Sequence, residues 1–128
     1  MATTLSYSGT LMRSNVFDSY ILRKFAGSSG DANKEFSATI DLVNDPLPTL
    51  PLTICTQGIE TISFLFIQAI GGSVKLALNK GTDSLEITLG SGTLKTGDTL
   101  LMSGIDLTGL TLTEVTKSCI LEIYGMGY

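Results

Sequence analysis

Between Ile59 and Leu89 apolar runs alternate with turn residues: I-E-T-I-S-F-L-F-I-Q-A-I, then G-G, then S-V-K-L-A-L-N, then K-G-T-D, then S-L-E-I-T-L. The pattern predicts three strands joined by two tight turns, a β-meander. The first strand departs from one-sided alternation. A period of two puts Ile62, Phe64 and Phe66 on one face and Ser63, Leu65 and Ile67 on the other. Both faces are then largely apolar, whereas one face of an antiparallel strand in a small domain ordinarily meets water. The expectation is that Leu65 and Ile67 are sheltered by another chain.

The rest of the chain carries the same period. Residues 35–43, E-F-S-A-T-I-D-L-V, alternate cleanly, with Phe36, Ala38, Ile40 and Leu42 predicted inward. Residues 3–12 and 16–25 read as strands, the first with a bulge at Gly9. Between them and the clean strand, 26–34 (A-G-S-S-G-D-A-N-K) reads as an exposed polar loop, either a hairpin connection or a contact tip. Three prolines in D-P-L-P-T-L-P, 45–51, forbid a central strand and favour extended backbone. Leu47 and Leu50 in it are candidates for cover by a partner; a stiff inter-sheet loop explains them equally. Further strands are predicted at 52–57, 98–104, 105–113 (with a bulge at Gly109) and 118–125. Some eight to ten strands with turns every 8–12 residues make a single all-β domain over 1–128, an antiparallel sandwich of jelly-roll type.

Composition sharpens this. Only 16% of residues are charged, against about 25% in an average soluble domain. Little polar material is left to coat an isolated monomer, which favours a homo-oligomer; a compact β protein with a Thr- and Ser-coated surface is the alternative. The net charge is −4, and the eight basic residues are scattered, so no basic stripe is available to track nucleic acid. The start, M-A-T-T-L-S-Y-S, lacks the basic and apolar regions of a secretory leader. The apolar stretch 61–74 is interrupted by Gln68 and Gly71-Gly72 and is too short to span a bilayer. Cys55 and Cys119 are read as buried, reduced thiols in a cytosolic setting, while their spacing leaves one disulfide between them open.

Candidate chemistry is sparse. The chain has no histidine, which removes Ser-His-Asp and Cys-His nucleophile pairs and histidine metal shells. No glycine-rich phosphate cradle opens a helix. Glu60, Glu86 and Glu122 are the strand-borne carboxylates that a two-carboxylate glycosidase would need, though exposed charges protecting sheet edges explain them better. Asn44-Asp45 and Asn79 with Asp83 offer hard oxygens for calcium, and they are equally ordinary turn residues. No cofactor is expected. The run Ile123-Tyr124-Gly125-Met126-Gly127-Tyr128 puts Tyr and Met on pliable backbone. Tyr124, Met126 and Tyr128 suit a tail docked on a neighbouring subunit, or a strand end folded onto its own sheet.

Gly72-Ser73-Val74-Lys75-Leu76, Leu85-Glu86-Ile87-Thr88-Leu89, Gly97-Asp98-Thr99-Leu100-Leu101 and Leu110-Thr111-Leu112 share a Thr-, Gly- and Leu-rich strand–turn rhythm. In that rhythm the segment from Ile59 to Tyr124 resembles small all-β structural proteins of bacteriophage virions, of the capsid decoration (cement) or vertex type. The resemblance implies a trimer or pentamer, made in the host cytoplasm, seated on a lattice of major capsid protein and reinforcing it. The alternative is a phage fibre or adhesin module that recognises a receptor or glycan through the 26–34 loop.

Overall fold

The computed structural model describes residues 6–14, 19–28, 34–90 and 99–128. Ten strands follow in chain order: β1 (Ser6–Ser14), β2 (Ser19–Ser28), β3 (Lys34–Asp41), β4 (Leu52–Thr53), β5 (Ile62–Ile70), β6 (Ser73–Lys80), β7 (Asp83–Leu89), β8 (Thr99–Leu107), β9 (Gly109–Lys117) and β10 (Ile120–Gly127). β1 and β2 form a two-stranded antiparallel ribbon. The other eight form two four-stranded antiparallel sheets, ordered β3-β10-β5-β8 and β4-β9-β6-β7. That interleaved order over eight strands is a jelly-roll sandwich.

The sheets face each other through alternate side chains. Phe36 of β3, Leu121 and Ile123 of β10, and Leu65, Ile67 and Ala69 of β5 are buried from one side. Val74, Leu76 and Leu78 of β6 and Leu110 and Leu112 of β9 meet them from the other. Each of these side chains other than Ala69 contributes about 1.5–3 kcal/mol by leaving water. The alternation read in 35–43 is present, with Phe36 and Leu42 buried and Ala38 and Ile40 packed at the margin.

The predicted meander is corrected. β6 and β7 form a hairpin around Gly81-Thr82, but β5 pairs with β10 and β8 in the opposite sheet. Gly71-Gly72 therefore carries the chain from one sheet to the other. The reason is close packing at that corner: a Cβ on Gly72 would collide with the carbonyls of Lys117 and Ser118, where β9 crosses to β10. Among the described residues, every sandwich link except β6–β7 changes sheet.

Several boundaries also differ from expectation. The segments expected as two strands, 98–104 and 105–113, divide elsewhere: β8 runs unbroken past Gly104 to Leu107, and β9 begins at Gly109. Gly104–Asp106 bulge out opposite Ser63, so the irregularity lies there rather than at Gly109. In the ribbon the register shifts between Leu11 and Met12, not at Gly9. β2 extends to Ser28 and β3 starts at Lys34, so 26–28 and 34 of the predicted loop belong to strands; its remainder, 29–33, lies outside the described residues. Only Leu52 and Thr53 of the predicted strand 52–57 join the ladder. Ile54 turns into the core, and Cys55 is exposed rather than buried. Cys119 is buried, and both thiols are free.

Candidate functional site

The feature that separates the two sides of the sandwich is the chemistry of their outer faces, and it begins with one extra residue in β5. Ile62 pairs with Gly127 and Phe64 with Met126, so Ser63 stands opposite no single partner. The Ser63 hydroxyl donates to the Met126 carbonyl at 3.3 Å. A bulge of this kind shifts side-chain parity by one. Ile62 joins Leu65 and Ile67 in the interior, while Phe64 and Phe66 take the outside.

The expectation for Leu65 and Ile67 is therefore overturned. They are 1% and 0% exposed, inside their own sandwich, and offer nothing to a neighbouring copy. Period-two counting separates Phe64 and Phe66 from Leu65 and Ile67 as the structure does, but it does not say which face is inward; the extra residue at Ser63 moves only Ile62, to the Leu65 side. β5 is apolar on both sides as read, but the outward side belongs to the phenylalanines.

Register builds the rest of that face. Tyr124 lies opposite Phe66, and Met126 opposite Phe64. Leu101 of β8 lies opposite Phe66 on the other flank and is 39% exposed. Phe64 and Met126 are buried, with Phe66 and Tyr124 half-buried against them. The Phe64 and Tyr124 rings meet edge-on, centroids 6.5 Å apart at 67°, a favoured aromatic geometry. The Tyr124 phenol donates to the Glu35 carboxylate at 2.8 Å. Burial first, then the bond to and the charge of Glu35, push that phenol above its ordinary range. Beside it, Phe66, Tyr124, Glu122, Ser37 and Thr39 border a depression of about 220 Å³.

The outer face of β4-β9-β6-β7 is different in kind. Lys75 sits between Glu114 at 3.3 Å and Glu86 at 4.0 Å. Asn79 donates to Thr111 at 3.1 Å and accepts from Ser84 at 3.0 Å. Thr113 bonds the Lys75 carbonyl and Glu86. Such a polar mesh is an ordinary solvated face.

The other expected contact residues are dispersed. Leu47 is 59% exposed in the proline segment, whereas Leu50 packs against the core. Tyr124 and Met126 do not belong to a free tail, because β10 is an interior strand between β3 and β5. Tyr128 is tied down too: its carbonyl accepts from the Glu60 and Thr61 N–H groups at 3.1 and 2.8 Å, and its own N–H donates to Thr61 at 3.0 Å. Only its side chain is open, at 49%. Of the expected set, Tyr124 and Met126 alone fall on the aromatic face. Sequence reasoning missed Phe66 and Leu101 there; their apolar character was the available signal, and only the packing of Leu65 and Ile67 against the opposite sheet reveals which way they point.

Comparison of the chain with protein-family models, with curated proteins and with solved structures finds no match.

The candidate carboxylates do not converge. Glu86 lies on β7 and Glu122 on β10, on opposite outer faces of the sandwich. Glu60 precedes β5. For the candidate calcium oxygens, Asn44 is bonded to Asp41 through its amide and its N–H. Asn79 is committed to Thr111 and Ser84. Among the described residues, no three acidic or cysteine side chains gather around one point. An apolar groove of about 230 Å³ opens between β7 and β8, walled by Leu78, Leu85, Met102, Ile105 and Leu107, with Lys80 and Asp83 at its rim.

Proposed function

We propose that this chain is a non-enzymatic structural subunit of a virion, of the capsid decoration or cement type, which self-associates and reinforces the shell. The observation that carries the reading is the asymmetry of the sandwich. One outer face is a polar mesh around Lys75; the other holds Phe66, Tyr124 and Leu101 around Phe64 and Met126. Aromatic residues and methionine are enriched at the cores of protein interfaces, and an apolar sheet face is suited to a copy of itself in a symmetric assembly. The jelly roll adds an analogy, since viral shell proteins use this architecture, but so do lectin domains and other proteins.

The mechanism is linkage. A subunit that binds the assembled shell, and not its separated parts, shifts the equilibrium toward the shell by RT ln(1 + [L]/Kd). It needs shape, apolar surface and a rigid frame, all of which the sandwich supplies.

Two measurements test the reading. Sedimentation of the full chain at micromolar concentration is expected to show a discrete oligomer, which a Phe66→Lys variant converts to monomer. The protein is also expected to co-sediment with assembled shells of a bacteriophage major capsid protein, and not with unassembled capsid subunits. A wild-type monomer, or equal binding to both capsid forms, would end the proposal.

A further inference from the structure

The outer face of β3-β10-β5-β8 carries charge of one sign. Glu35 and Asp41 of β3 share it with Glu122 of β10. The four strands hold one lysine and no arginine. That lysine, Lys34, shares the parity of inward Phe36, and its ammonium donates to the Gly58 carbonyl at 3.1 Å. Two of the three carboxylates are engaged: Glu35 by the Tyr124 phenol, Asp41 by the N–H groups of Val43 and Asn44. Glu122 is exposed, with no hydrogen-bond or ion-pair partner among the described residues.

Glu122 borders the depression of about 220 Å³ that Phe66, Tyr124, Ser37 and Thr39 also line. Register brings these five together. Tyr124 lies opposite Phe66 on one flank and Ser37 on the other, and Glu122 lies opposite Thr39. The Tyr124 ring is fixed before any ligand arrives, because Phe64 meets it edge-on and Glu35 holds its hydroxyl. Such pre-organisation lowers the cost of binding.

We infer that this depression receives the guanidinium of an arginine side chain presented by a partner protein. A guanidinium is planar, lies against aromatic rings, and offers a fork of N–H donors that one carboxylate accepts two at a time. The Ser37 and Thr39 hydroxyls accept from the donors that remain. A lysine ammonium, compact and strongly hydrated, gains less from the rings, and a neutral sugar leaves the Glu122 charge uncompensated. Each copy of this chain carries a net charge of −4, so charge complementarity selects a different, more basic protein. The site lies within one copy and does not depend on self-association.

The test titrates the full chain with N-acetyl-arginine amide, N-acetyl-lysine amide and methyl glucoside while backbone amide resonances are followed. Saturable shifts at Ser37, Thr39, Phe66, Glu122 and Tyr124 are expected with the arginine probe, at a millimolar dissociation constant. The lysine probe should bind roughly threefold or more weakly, and the glucoside should shift nothing. Glu122→Gln and Phe66→Ala should each weaken the arginine probe about fivefold, with the amide spectrum away from the depression unchanged. The assignment is overturned by any of four results: no saturable shift, equal affinity for the lysine probe, binding of the glucoside, or an unchanged constant in Glu122→Gln. A failed titration leaves the assembling subunit standing, and a wild-type monomer on sedimentation leaves the arginine site standing.

Discussion

Tyr124 and Glu35 are joined diagonally across β10 and β3 by a 2.8 Å hydrogen bond in which the phenol is the donor. The bond exists only while the phenol keeps its proton, and burial together with the Glu35 carboxylate holds that proton more tightly than usual. A group whose pKa is raised by folding contributes stability that is fully present below the unfolded value, about 10 for tyrosine, and lost as pH rises through the folded value. Urea midpoints are therefore expected to fall between about pH 10 and the higher folded pKa, and Tyr124→Phe is expected to flatten that fall. A wild-type slope unchanged in the variant would remove Tyr124 from the account.

Adjacent residues on β5 are expected to give unlike phenotypes. Leu65→Ala empties a fully buried site in the sandwich and should cost about 2–5 kcal/mol in denaturant unfolding. Phe66→Ser, one residue on and facing out, should shift the monomer's unfolding free energy by less than about 1 kcal/mol while weakening association. Equal losses of stability in both variants would contradict the opposite facing of Leu65 and Phe66.

Gly125 lies beneath Phe36. A Cβ at this position would collide with the Phe36 ring, and β10 is held on both sides by β3 and β5, so the backbone has little room to yield. Gly125→Ala is expected to destabilise the fold by about 1–3 kcal/mol through overpacking. Adding Phe36→Leu should recover part of the loss in the same unfolding assay.

The two thiols are expected to react at very different rates. Cys55 is exposed. Cys119 is fully buried, and desolvation pushes its thiol upward, away from the reactive thiolate. A chromogenic disulfide reagent at neutral pH should titrate one thiol per folded chain quickly and the second only on unfolding. Cys55→Ser should abolish the fast phase.

These outcomes depend unequally on what was readable in the residues alone. The alternation in 35–43 and the turn at K-G-T-D were legible because each is a local rule acting within a few positions. The sandwich class followed from the number and spacing of such runs. Gly71-Gly72 was legible as a turn but not as a change of sheet, because the same dipeptide serves a hairpin and a crossing. What decides between them is the packing of Gly72 under Lys117 and Ser118, more than forty positions away. The aromatic face was misassigned for a similar reason. Alternation separates Phe64 and Phe66 from Leu65 and Ile67, but which pair is inward depends on the β6 and β9 side chains of the opposite sheet, and β9 is remote in the chain. The central place of β10 was likewise hidden, since Tyr, Gly and Met suit a tail as well as a strand.

The repeated passage of the chain from sheet to sheet has a consequence for how the molecule comes apart. Neither sheet is a continuous length of polypeptide: β5 and β6 are neighbours in sequence yet lie in opposite layers. One layer cannot peel away without dragging the connections that anchor the other. Thermal melting of the sandwich should thus be a single all-or-none event, its amides should exchange with solvent as one cooperative unit, and refolding should be slow, on the milliseconds-to-seconds scale of topologies dominated by distant pairings.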